Sequence, residues 1–112
     1  MITVFEQGDI IYLDFDPQTG HEQKGRRPAF VVSNSDFNHF TKAAIVCPIT
    51  NTDKNIPIQV KLDGRTKTTG VIMCEQLKAL DISKRNAVFI EKAPPEIIAE
   101  VIDLVFSFIE II

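Results

Sequence analysis

Apolar residues in this chain fall into short runs for most of its length and into one long helical stripe at its end. DIIYLDF (residues 9–15) is a β-rich run closed by Asp16-Pro17, and PAFVVSN, from Pro28, and AAIVCPIT (residues 43–50) are two more. Ile58, Val60 and Leu62 alternate with Gln59 and Lys61, the period-2 mark of a strand with one wet face. DGRTKTTG (residues 63–70) supplies a turn, VIMCEQLKAL begins as another buried strand, and residues 86–90 form a last one. SDFNHF (residues 35–40) reads either as one helical turn or as an irregular loop. Five or six closely spaced strands with no helix-length insert predict a small antiparallel barrel rather than a βαβ fold.

After Pro94-Pro95 the pattern changes to EIIAEVIDLVFSFIEII, a helix start followed by 17 residues without Gly or Pro. Glu96, Glu100, Asp103, Ser107 and Glu110 step by 4, 3, 4 and 3 and form one narrow polar stripe. The rest of the helix is apolar, a wider arc than a surface helix on a monomer needs. The excess predicts a homodimer or a groove for a partner; the alternative is a helix packed deeply on the barrel.

Composition adds limits. At 112 residues, 45% of them hydrophobic, the chain is expected to form a single domain over residues 1–112. It has no run of roughly 18 apolar residues that would span a bilayer, and MITVFEQGDI lacks a charged region followed by a long apolar one, so the expectation is a cytoplasmic protein without membrane contact. Cys47 and Cys74 each lie inside an apolar run and read as buried small hydrophobes. The formal net charge of −3 disfavours a general polyanion binder. Four of the fifteen acids sit in the last 17 residues, which hold no Lys or Arg, leaving twelve basic against eleven acidic residues before them. Anion affinity is therefore expected to be local.

One loop concentrates that charge. GHEQKGRRP (residues 20–28) joins the first two strands and carries His21, Glu22, Lys24, Arg26 and Arg27 between Gly20, Gly25 and Pro28. A charged loop of this kind is either a solvated connector or a site. Arg27 is the strongest candidate, because a guanidinium presents a planar fork of donors that fits phosphate and keeps its charge at neutral pH. Pro28 fixes the backbone beside it.

The stretch GDIIYLDFDPQTGHEQKGRRPAFVVS resembles the opening of the MazF/PemK (Kid) family of toxins from bacterial toxin–antitoxin pairs. IVCPIT, LDGRTKTTGVIMCEQLKALD and the closing apolar helix resemble the same family in the same order, so nearly the whole chain is covered. The resemblance implies an SH3-like barrel with a terminal helix (a MazF/PemK-like fold), a homodimer, and metal-independent, cofactor-free cleavage of single-stranded RNA at short sequences. It also implies a cognate antitoxin whose tail occupies the RNA groove, and contact with operator DNA only through that antitoxin.

RNA can be cut by its own 2′-hydroxyl if its proton is removed, the crowded phosphate is neutralised and the departing 5′-oxygen is protonated. The expected products are a 2′,3′-cyclic phosphate and a 5′-hydroxyl. No metal is needed, and His21 and His39 have no ligand-type spacing with each other or with the cysteines. The resemblance matches Arg27 to the family's catalytic arginine and Thr50 to the hydroxyl that holds the scissile phosphate. Alone, Thr50 would read as a turn residue at a strand end. Glu22 matches the acidic residue of the family's Glu-Gln pair and His21 can shuttle a proton near neutrality; Glu22, His21 and Glu75 all remain candidate bases. Gln23, Lys24, Arg26, Arg65, Lys67, Glu75 and Gln76 are expected RNA contacts, the basic ones holding backbone phosphates without choosing sequence. Phe37, Phe40 and Tyr12 read as core aromatics or as base-stacking surfaces.

One departure stands out. The Kid branch shares catalysis between an arginine and an aspartate at positions that here are Met73 and Glu75, so the burden shifts to Arg27, Thr50 and the loop. Two rival readings remain: a gyrase-poisoning toxin of the same barrel without nuclease activity, and a catalytically dead partner of a transcriptional regulator.

Overall fold

The computed structural model describes residues 4–15 and 25–112. Its elements in chain order are β1 (Asp9–Asp14), β2 (Arg26–Val31), α1 (Ser35–Thr41), β3 (Ala43–Thr50), β4 (Gln59–Lys61), β5 (Val71–Met73), β6 (Lys78–Asp81), β7 (Val88–Lys92) and α2 (Pro95–Ile109). The strands form one sheet in the order β4-β5-β3-β2-β1-β7, with β6 also paired to β3. Every pairing is antiparallel. The expected mainly-β fold with a closing helix is present, but β4 and β7 end the sheet without bonding to each other, so it is barrel-like and open.

β3 is the shared strand. Its first half, Ala43 to Val46, pairs with β6, and its last two residues, Ile49 and Thr50, pair with β5. A single 3-10 turn over Cys74–Gln76 carries the chain between those two partners. VIMCEQLKAL begins as the expected buried strand, β5, but after the turn it continues as a second strand, β6, that the sequence reading did not separate. SDFNHF resolves to helix: the Asn34 side chain accepts from the Phe37 N–H at 3.0 Å, and Lys42 closes the last turn in the left-handed region at φ +62°.

Alternation along the strands makes two cores, one on each face of the sheet. Ile10, Phe30, Cys47, Ile49, Val60 and Ile72 pack on one face against Ile97 and Val101 of α2. Ile11, Leu13, Ala29, Val31, Val46 and Leu80 pack on the other, with Phe5. Pro95 opens α2 at a position where its missing N–H costs nothing. Ile97 and Val101 are fully covered, but Phe106 and Ile109 are 63% and 72% exposed. The first half of the helix is thus docked on the sheet, and the second half keeps the surplus apolar surface foreseen from its narrow polar stripe. No helix among the described residues is long and apolar enough to cross a membrane.

Candidate active-site cleft

The β2–β3 ladder ends at Ala29 opposite Pro48, after Phe30 opposite Cys47 and Val31 opposite Val46. Two residues further in the same register come Arg27 on β2 and Thr50 on β3. Arg27 is in step with Ala29 and Val31, and Thr50 with Pro48 and Val46, so both are aligned with the sheet face away from α2. Gln59 and Met73 are cross-strand partners on β4 and β5. Their neighbours Val60 and Ile72 point into the α2 core, which turns Gln59 and Met73 to the same side as Arg27 and Thr50. The result is a cleft of about 350 Å³ lined by Arg27, Thr50, Gln59, Met73, Glu75 and Gln76, with Thr52, Lys54 and Ile56 supplied by the segment after β3.

Local contacts set each side chain. The Thr50 hydroxyl oxygen accepts the Thr52 N–H at 3.2 Å, which leaves its own O–H free to donate. Behind Thr50, Gly70 takes φ +114°, and a Cβ there would collide with the Thr50 carbonyl. Gly70 is the glycine that lets β5 pass close beneath the threonine. Across the cleft the Gln59 Nε2 donates to Glu75 Oε2 at 3.0 Å, while Gln59 Oε1 is buried without a hydrogen-bond partner.

The other expected RNA contacts are placed elsewhere or lie beyond the described residues. Arg26 donates to Asp14 Oδ1 and to the Asn86 carbonyl, both at 3.0 Å, and its guanidinium lies 4.7 Å from the centre of the Tyr12 ring. Bonds from Asn86 and Arg26 hold the Asp14 carboxyl below its ordinary pKa. Arg65 reaches both Asp63 carboxylate oxygens, at 3.0 and 2.9 Å, and Glu96 at 2.9 Å. Its hydrogen bonds draw Asp63 down to about 2. The Lys67 N–H is held by Glu91 at 3.0 Å. Arg26, Arg65 and Lys67 do not line the cleft. His21, Glu22, Gln23 and Lys24 lie outside the described residues.

The structure brings together Arg27, Thr50, Glu75 and Gln76 from the sequence-derived set and adds Thr52, Lys54, Ile56 and Gln59. Gln59 had a signal: it occupies a wet position in an alternating strand. Thr52 and Lys54 had none beyond following Thr50. A larger cavity of about 550 Å³ opens between α1 and the segment after β6, but Lys42 is the one charged side chain on its wall and apolar residues such as Phe5, Ala44 and Ile82 dominate it. Its cation and its hydroxyl are both engaged elsewhere, Lys42 donating to the His39 carbonyl at 3.3 Å and Ser83 to Asp81 Oδ1 at 2.6 Å.

The chain is thus a small, mainly antiparallel β domain with a terminal helix and a cleft lined by an arginine and a threonine. The family model for PemK-like, MazF-like toxins of type II toxin–antitoxin systems matches residues 6–107. The chain is 37% identical over 101 residues to the endoribonuclease PemK of Escherichia coli, an alignment covering 87% of this chain and 76% of that protein. It is 38% identical over 82 residues to the endoribonuclease toxin MazF of Escherichia coli strain K12, covering 73% of each. The crystal structure of MazF from Deinococcus radiodurans superposes with a TM-score of 0.84 at 36% identity, covering 95% of this chain and 96% of that one. A MazE–MazF complex from the same organism gives 0.84 at 29% identity, covering 98% and 99%. The chain belongs to the PemK-like, MazF-like toxin family.

Proposed function

We propose that this chain is an endoribonuclease toxin that cleaves single-stranded RNA in the cleft between β2, β3 and β4, and that a cognate antitoxin neutralises it. The observation that carries the reading is the meeting of Arg27 and Thr50 in one cleft, in a chain whose relatives are named endoribonucleases. Arg27 spreads charge-assisted bonds over the phosphate as the 2′-hydroxyl attacks, and stabilises the crowded phosphorane. The Thr50 hydroxyl, its oxygen already accepting from Thr52, donates to a phosphate oxygen and fixes the scissile group. Glu75 is tied through Oε2 to Gln59, so we assign it to substrate contact and the removal of the 2′-proton to Glu22 or His21. The bond from phosphorus to the 5′-oxygen breaks and that oxygen takes a proton from water, leaving a 2′,3′-cyclic phosphate and a 5′-hydroxyl.

The exposed second half of α2 is the surface of a homodimer, and the antitoxin tail competes with RNA for the cleft. Support for an antitoxin partner comes from the Deinococcus radiodurans MazE–MazF complexes, whose toxin chain shares this fold. Incubation with single-stranded RNA in EDTA tests the activity. Cleavage to cyclic-phosphate ends that is lost in Arg27→Ala and slowed by antitoxin is the expected result. Intact RNA accompanied by gyrase-linked DNA breaks would establish the gyrase-poison reading instead.

A further inference from the structure

Gln59 stands out in the cleft because its amide is half used. Glu75 can only accept when ionised, so the amide must turn its Nε2 toward that carboxylate, at 3.0 Å, and its Oε1 the other way. That oxygen is the one buried side-chain acceptor or donor among the described residues with no partner. An orphaned buried acceptor is unfavourable unless something supplies a donor, and here it belongs to a side chain on the wall of a cleft that also holds Arg27 and Thr50.

We infer that Gln59, oriented by Glu75, reads a nucleobase beside the scissile phosphate by accepting a hydrogen bond from that base's exocyclic amino group. This rests on the ribonuclease reading of the same cleft. Arg27 and Thr50 grip phosphate, which is the same in every nucleotide, so they carry no sequence information. Gln59 brings the unpartnered acceptor, and Glu75, holding the Nε2, fixes which way that acceptor faces. Adenine, cytosine and guanine each offer an amino group to such a wall. Uracil offers a single N–H flanked by two carbonyl oxygens, which the Glu75 carboxylate repels. A site built around an acceptor in need of a donor discriminates strongly against a base lacking that donor.

The test combines substrate and protein changes. Randomised single-stranded RNA first gives the cleaved sequence for the unaltered protein, and each amino-bearing base near the cut is then replaced by its amino-free analogue: purine riboside for adenosine, inosine for guanosine, pyrimidin-2-one riboside for cytidine. At one position the analogue should slow cleavage by about tenfold, the size of one base-edge hydrogen bond. In Gln59→Met, which keeps the side chain's length and removes the acceptor, the same analogue should cost less than about twofold. Analogues that slow the two proteins equally, or that slow neither at any position, overturn the inference while leaving the ribonuclease reading intact. An unaltered protein that leaves all RNA whole overturns both. The substrate arm stands on the unaltered protein alone, so a Gln59→Met chain that failed to fold would still leave the inference open to refutation.

Discussion

Arg27 and Thr50 come from neighbouring antiparallel strands, stand in one register two residues beyond the last paired position, and line one cleft. Their separation is fixed by the sheet and not by a loop. Pre-organisation of this kind makes a charge-stabilising group worth more to a transition state than to bound substrate. Arg27→Ala should therefore reduce turnover on a fluorogenic RNA oligonucleotide on the order of 100-fold, with a smaller change in KM. Thr50→Val removes one neutral hydroxyl of similar shape and should cost about tenfold. Thermal melts of both variants should match the parent, and parent-like cleavage in Arg27→Ala would refute the assignment.

Gly70 supports that arrangement from behind. Its φ of +114° suits glycine alone, and a Cβ would press on the Thr50 carbonyl. Gly70→Ala should destabilise the fold by more than about 1 kcal/mol and lower RNA cleavage in the fraction that stays folded. Urea melts and kcat measured on the same preparation check this, and a variant with unchanged kcat would show that Thr50 tolerates the displacement.

These two positions show how unevenly the sequence revealed the molecule. β-rich apolar runs around Ile10 and Phe30, and alternation around Val60, are enough to place most strands, because these residues are buried in the sheet. β6 was hidden: of its residues only Leu80 is buried, and the turn over Cys74–Gln76 that precedes it contains no Gly or Pro to mark it. In the cleft, the pairing of Arg27 with Thr50 was legible only through family likeness, since two residues 23 positions apart meet by strand register, which no local pattern encodes. Arg65 illustrates the opposite case. Its nearest acid, Asp63, was visible two residues away, but Glu96 arrives from the start of α2 and completes an ion-pair cluster that no short-range reading contains.

That cluster has a pH signature. Asp63 titrates at about 2 because the Arg65 side chain and the Arg65 N–H both donate to it. A carboxylate lowered on folding contributes stability above its ordinary pKa of 3.8, and loses it as pH falls toward about 2. The turn over residues 63–70 should accordingly keep its structure at pH 5 and loosen between about 4 and 2. Carbon-detected NMR titration of the Asp63 carboxyl reads this directly. In Arg65→Ala its midpoint should return toward the ordinary value, and an unmoved midpoint would remove Arg65 as the cause.

Cys47 and Cys74 are both fully buried in the core beneath α2. The hydrogen bond that the Cys47 thiol donates to Cys74, reinforced by burial, pushes Cys47 far above its ordinary pKa, and the same bond draws Cys74 below its own. Burial denies a reagent access to either sulfur, whichever way its pKa is shifted. The folded protein should therefore show no rapid reaction with an aromatic disulfide reagent at pH 8, and two reactive thiols should appear on unfolding in guanidinium. Immediate reaction of either cysteine in the native state would contradict the packing.

The second half of α2 makes the last prediction. Phe106 and Ile109 are 63% and 72% exposed, and Phe108 joins them at 43%. An isolated soluble chain gains nothing from three large apolar side chains held in water on an ordered helix, whereas a second copy of the same helix would cover them. Because Ile97 and Val101 already anchor the first half of α2, charge introduced near its end should break association without unfolding the domain. Light scattering should give a dimer for the unaltered chain and a monomer for Phe106→Glu combined with Ile109→Glu, the latter melting cooperatively with an intact circular dichroism spectrum. A dimer that survives the double substitution would move the interface to another face of the sheet.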